Sequence, residues 1–261
     1  SHVVYMQEMF ANAWNFNGDI GTWDVSSVKD MRAMFYNTGA FNQDLSAWNT
    51  ASLERLDNTF GYARVFNGDV STWNTSKVQY FGRTFGDAYA FNGDLSNWDM
   101  SSALDVTAMF QAATSFNQPI GDWNVSSVTN FNAMFDYALS FNQDIDAWDV
   151  SSAEWMVSMF QSARSFNQPL HSWNVSNVQH FSNMFAWADV FDQPINTWDV
   201  SAGVEFQAMF YAARAFNQPL DQWNPSRAVN LNSMFNEADS FNQPIWTWDT
   251  SSVRYMENMF A

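Results

Sequence analysis

The spacing between equivalent aromatic residues constrains this chain more than any other feature. One phenylalanine series runs Phe10, Phe35, Phe60, Phe85, Phe110, Phe135, Phe160, Phe185, Phe210, Phe235 and Phe260, every step being 25 residues. A second series keeps the same step from Phe16 to Phe241, and a tryptophan series keeps it from Trp23 to Trp248. A fixed period of this length identifies a solenoid or array, because a unit so small cannot bury its own core and must share one with its neighbours. The 261 residues are therefore read as one elongated domain, 1–261, of about ten coils, where length alone suggests two domains. Ser1 is in phase with Ser26 and Ala261 with Ala11. The chain is accordingly expected to be a segment, excised or designed, without the polar end caps that solenoids carry.

Phe116 to Phe135, FNQPIGDWNVSSVTNFNAMF, shows one unit. Ser126 or Ser127 is a good helix N-cap, its hydroxyl able to accept from an orphan backbone N–H. Val128, Phe131, Met134, Phe135 and Ala138 then follow offsets that lie on one side of a helix, which predicts a short helix over 127–137. An alanine series from Ala63 to Ala238 is expected to let adjacent helices approach closely. The fourth residue of FNQPI is Asp19, Asp44, Asp69, Asp94 or Asp144 in some coils and Pro119, Pro169, Pro194, Pro219 or Pro244 in others. Proline lacks the N–H that a central strand needs, so this segment reads as a turn. Trp123 and Val125 alternate with the strand period and predict a short parallel strand with a tryptophan ladder inside, in which Pro225 is a local defect. Parallel strands joined through helices wind right-handed. The fold expected is an α/β repeat solenoid, a right-handed coil with one short strand and one short helix per repeat. All 25 phenylalanines occupy three repeat positions and are read as core. The ladder from Asn17 to Asn242, broken only by Asp192, is read as structural, and the Asp/Asn series from Asp24 to Asp249 as Asx-turns.

The net charge is −17 and only Lys29 and Lys77 are lysines. Such a surface repels phosphate backbones, so nucleic acid and anionic membrane are poor partners, while cationic ligands, basic proteins or divalent cations suit it better. Solubility alone is the plainer reason for the charge. With no cysteine there is no disulfide, zinc-thiolate site or cysteine nucleophile, and no apolar run approaches the length of a membrane-spanning helix.

The pattern FNQxIxxWxVSSVxxMxxMFxxAxxFNQ covers the whole chain and resembles the bacterial surface-protein repeat of about 26 residues, related to BspA-like leucine-rich repeats. Thr59 and Thr84 depart from it at the Met position, Thr38 at Ala and Ala51 at Ser. The resemblance implies a leucine-rich-repeat-like solenoid at the cell surface or outside the cell, engaged in adhesion and recognition, with no catalytic residues to carry over.

Once the core is set aside, two positions vary in chemistry from coil to coil. One reads Tyr5, Asp30, Arg55, Tyr80, Asp105, Asn130, Trp155, His180, Glu205, Asn230, Tyr255; the other lies seven residues on and includes Tyr137 and Trp187. On a helix that spacing places both on one face, which gathers Tyr80, Tyr137, Trp155, His180 and Trp187 into a candidate site for a protein or glycan. The plain alternative is scattered surface residues packed over neighbouring coils. Stacked acids at Asp19, Asp44, Asp69 and Asp94 suggest calcium only weakly, because proline replaces them in later coils and no cage motif is present. His2, His171 and His180 are scattered and no Ser, His and Asp fall into one set, so the chain is read as no enzyme. Asn74, Asn124 and Asn174 match the glycosylation sequon, but within the repeat ladder. Two other functions compete with recognition: a structural spacer that stacks end to end with further copies, and ice or mineral binding through Thr22, Thr72, Thr197 and Thr247, a row broken by Ala47, Asn97, Asp122 and Gln222.

Overall fold

The computed structural model describes residues 2–261, and among them the repeat is a coil without a helix. In the stretch predicted as helical, backbone donors divide into two sets. Phe131, Ala133, Phe135 and Tyr137 donate to Trp155, Val157, Met159 and Gln161 of the next coil at 2.8–2.9 Å. Met134, Asp136 and Ala138 close turns onto Phe131, Ala133 and Phe135 at 3.0–3.2 Å. A helix would send each N–H to the fourth residue back. Two residues per coil instead take the left-handed conformation, here Ala133 at φ 54° and Tyr137 at φ 56°. Each is the third residue of a turn closed by the bond from Met134 or Ala138, the place where a type II turn requires positive φ. None of these places holds glycine.

The reason no helix forms is one of room. Successive rings of the first phenylalanine series are 5.4–5.8 Å apart. Packed helices need about 8–10 Å between axes. Helices in adjacent coils therefore cannot coexist with this aromatic stack, whereas flat turns can. The burial inferred from periodicity is nevertheless found: Val128, Phe131, Met134, Phe135 and Ala138 are all fully buried.

The parallel pairing also lies elsewhere than predicted. It consists of one-residue bridges at the Tyr5, Asp30, Arg55, Tyr80 series, continuing through Asn130, Trp155 and His180 to Tyr255, inside the stretch predicted as helix. Around Trp123 the chain is irregular: the Trp123 N–H closes a turn onto Ile120 at 3.2 Å. The predicted defect at Pro225 consequently vanishes. The turn there needs only a carbonyl, and Pro225 accepts from the Ala228 N–H at 2.9 Å just as Val125 accepts from Val128.

The core runs continuously from coil to coil. Within a coil the two phenylalanines stack at 3.8–4.2 Å. Tryptophan rings stack along the axis at 5.9–6.5 Å. Each buried indole also has a polar anchor: Trp123 Nε1–H donates to the Leu95 carbonyl at 3.0 Å, and Trp148 Nε1–H to that of Ile120 at 2.9 Å. A buried N–H is thus satisfied by the preceding coil.

The turn readings stand. Asp44, Asp69 and Asp94 accept from the N–H two residues on at 2.8–2.9 Å, as do Asp99, Asp149 and Asp199 at 2.9–3.0 Å. Ser126, predicted as an N-cap, instead donates both N–H and hydroxyl to Asn124 Oδ1. The asparagine ladder joins side chain to backbone: Asn142 Oδ1 accepts from Asn167 N–H at 2.9 Å and from Gln168 Nε2 at 3.1 Å. Only an oxygen acceptor is needed, so Asp192 serves equally, accepting from Asn217 N–H at 2.9 Å. No helix among the described residues is long and apolar enough to cross a membrane.

Candidate recognition face

The bridge residues form a row along the solenoid, and their pairing uses backbone alone: Phe131 N–H reaches Trp155 O, and Trp155 N–H reaches Thr129 O. Side chains on this row are therefore free to vary. Trp155 and His180 occupy neighbouring coils and stack face to face, 3.7 Å apart with 10° between planes. Trp155 is 40% exposed. Tyr80, on the same row, carries the Arg55 guanidinium 4.2 Å above its ring.

Tyr137 and Trp187 are elsewhere. Without a helix, a spacing of seven no longer means a shared face. Both sit at left-handed positions, Trp187 at φ 54°, and Trp187 packs with Tyr211 at 4.8 Å rather than with the Trp155–His180 stack. Tyr137 is 48% exposed. The five residues thus divide into a bridge-row group of Tyr80, Trp155 and His180 and an outer group of Tyr137 and Trp187. Only Trp155 and His180 are in ring contact with one another.

A polar network missed by the sequence reading lies one residue before the outer row. Arg83 Nη2 donates to Gln111 Oε1, and Gln111 Nε2 donates to Asp136 Oδ2 at 2.9 Å. Asp136 is 7% exposed and its other oxygen, Oδ1, is buried without a hydrogen-bond partner. Burial raises its pKa; the Gln111 hydrogen bond opposes this, the Asp87 charge adds to it and Arg83 subtracts from it. The clue in the sequence was that this position also varies, reading Gly86, Gln111, Asp136, Gln161, Ala186, Tyr211.

The turn edge carries a cleft of about 670 Å³ lined by Asp122, Asp144, Asp146, Trp148, Ser172 and Asn174 among others. His171 Nδ1 lies 3.2 Å from Asp146 Oδ2, and Ser172 Oγ donates to that same oxygen at 2.8 Å. A serine nucleophile must be bonded to its base; here the hydroxyl is bonded to the acid, so the trio is a turn cap. The acids at Asp44, Asp69 and Asp94 cap their own turns, and no group of three or more acid or histidine side chains suited to a metal occurs among the described residues. On the threonine row, the Thr72 and Thr247 hydroxyls donate to backbone carbonyls of the preceding coil.

A family described as "Mycoplasma protein of unknown function, DUF285" matches residues 4–115, 93–193 and 170–261. The chain belongs to this family. Consecutive DUF285 matches overlap by roughly one coil, as expected where a profile can begin in any coil of a regular array. No curated protein matches the chain. Among solved structures, a chain of the "Crystal structure of TLR13-ssRNA13 complex" is similar at 13% identity over 79% of this chain and 34% of that one, with a TM-score of 0.28. The DUF285 chain thus spans about a third of the length of that structure.

Proposed function

We propose that the chain is a non-enzymatic recognition module, displayed at the cell surface or outside the cell, that holds a protein or glycan partner on its bridge row. One observation carries this reading. Positions that build the solenoid repeat almost without change, while the bridge row changes chemistry at every coil and displays a stacked Trp155–His180 pair at the surface. Backbone pairing makes that variation structurally inexpensive, and partly exposed aromatics are enriched at binding surfaces. The resemblance to surface-protein repeats supports the location. The net charge of −17 favours a partner that is neither nucleic acid nor anionic membrane. Calcium has no part in the reading.

A second reading, a rigid spacer, is favoured by the unbroken ladder of backbone bonds between coils. A binding screen of the intact chain against extracellular-protein and glycan arrays, with and without calcium, separates the two. Recognition predicts a hit that weakens in a Trp155→Ala, His180→Ala variant with unchanged thermal midpoint. A blank array, or a hit indifferent to that variant, would remove the bridge row as the binding face.

A further inference from the structure

The fold contains its own precedent for what Trp155 receives. On the bridge row Arg55 lies one coil before Tyr80 and lays its guanidinium 4.2 Å above the ring. Asp57 holds that guanidinium from two residues away, through Nε at 3.1 Å and Nη2 at 3.2 Å. Arg64 repeats the arrangement over Tyr89 on another row, at 5.4 Å. A cation on an aromatic face is thus a relationship that the step between coils provides.

At Trp155 the corresponding place holds no cation. His180 covers one face of the indole, from the following coil. The preceding coil offers Asn130, whose Oδ1 accepts the Asn132 N–H at 3.0 Å and so keeps the short side chain over its own turn. One coil further back, Asp105 accepts the Thr107 N–H on Oδ1 at 2.8 Å, while Oδ2 faces the bare backbone of Gly82, where an added Cβ would lie 3.4 Å away. From Leu104 to Glu205, the bridge row and the residue before it carry three carboxylates, Asp105, Glu154 and Glu205, and no lysine or arginine.

We infer that the place above Asn130, on the free face of Trp155, takes an arginine side chain from a basic segment of a partner protein. This rests on the recognition reading above and specifies its partner. The indole attracts the cation through its face, and the net charge of −17 draws a basic segment to the surface. Arginine suits the place better than lysine because a planar guanidinium stacks on an aromatic face and is more weakly hydrated than an ammonium.

The test is calorimetric titration of the intact chain with hexa-arginine, hexalysine and hexaglutamine peptides and with neutral N-acetylglucosamine oligomers, at low and raised salt. Hexa-arginine is expected to bind best. Trp155→Ala should weaken it about three- to thirtyfold, the range of a cation–π contact, with a smaller loss for Trp155→Phe. The double substitution Asn130→Arg, Asn132→Asp copies the Arg55–Asp57 pair and leaves the net charge unchanged. It should fill the place and weaken hexa-arginine to the same extent, with a cooperative thermal melt retained although the Asn130 bond to the Asn132 N–H is lost. Hexa-arginine binding that ignores both variants would mean diffuse attraction to an acidic rod and overturn the inference, as would hexalysine binding equally well or hexa-arginine not binding. If only the oligosaccharide binds, and Trp155→Ala abolishes it, the inference fails while the recognition face stands.

Discussion

Asp136→Asn is predicted to stabilise the protein at neutral pH and to lose that advantage in acid. In the native structure Asp136 Oδ2 accepts from Gln111 Nε2 at 2.9 Å, but Oδ1 is buried without a partner. A buried acceptor left unsatisfied costs about 1–3 kcal/mol, more when charged. Asparagine keeps an oxygen for Gln111 and removes the charge, although its Nδ2 inherits the unpartnered place. Relief from Asp87 is partly offset by the loss of Arg83. The net gain is therefore put at about 1 kcal/mol, or about 2–4 °C in midpoint for a chain of this size. The direction with pH follows from linkage. Burial raises the folded pKa above the unfolded one, so the folded state holds the proton more tightly. The penalty of the ionised form is full above the folded pKa and disappears below the ordinary carboxylate value of about 4. Denaturant titrations of both proteins across that range are the assay. A wild type at least as stable as Asp136→Asn at neutral pH, or a difference that persists in acid, would refute the reasoning.

Three further outcomes are expected. Trp148→Phe should cost about 2–4 kcal/mol, chiefly by opening space beside two stacked indoles, and it leaves the Ile120 carbonyl with the Trp123 N–H as its remaining donor; urea unfolding measures it. Asn142→Asp should fall within about 1 kcal/mol of wild type because Asp192 already fills the same role, whereas Asn142→Ala should cost about 2 kcal/mol by stranding the Asn167 N–H and Gln168 amide. Ala133→Gly, at φ 54°, should be neutral to stabilising by about 1 kcal/mol, while Ala138→Gly, buried and not in the left-handed region, should destabilise; thermal melts of the pair test the turn assignment.

What could be read from the sequence was the set of buried positions rather than the path of the backbone. Phe135 and Trp123 were recognisable as core because their spacing never varies, and Pro119 correctly excluded a strand where it stands. The 127–137 stretch reads as a helix because a run of alternating turns buries residues at almost the same intervals. The discriminating fact is the distance between coils, which no single repeat contains. The same holds for the site: a helical spacing joins Tyr137 to Trp155, and the stretch between coils contains no helix to bring them together. The Trp155–His180 contact survives because both lie on one repeat position, and like positions are neighbours whatever the local conformation. Asp136 escaped notice because its burial comes from the side chains of adjacent coils, not from its own neighbours in sequence.

The asparagine ladder, the indole anchors and the turn-to-turn backbone bonds all join a residue to its counterpart about one period away. Every junction between coils is therefore made by the same parts. A cut at one phase of the repeat can be rejoined at that phase in any other coil, so whole coils can be removed, duplicated or shuffled without asking the core for a new fit, whereas a single inserted residue would throw every later partner out of step. Length and surface lettering thereby become independent variables. The solenoid works as a typesetter's stick, holding characters of equal width in line while leaving their order open.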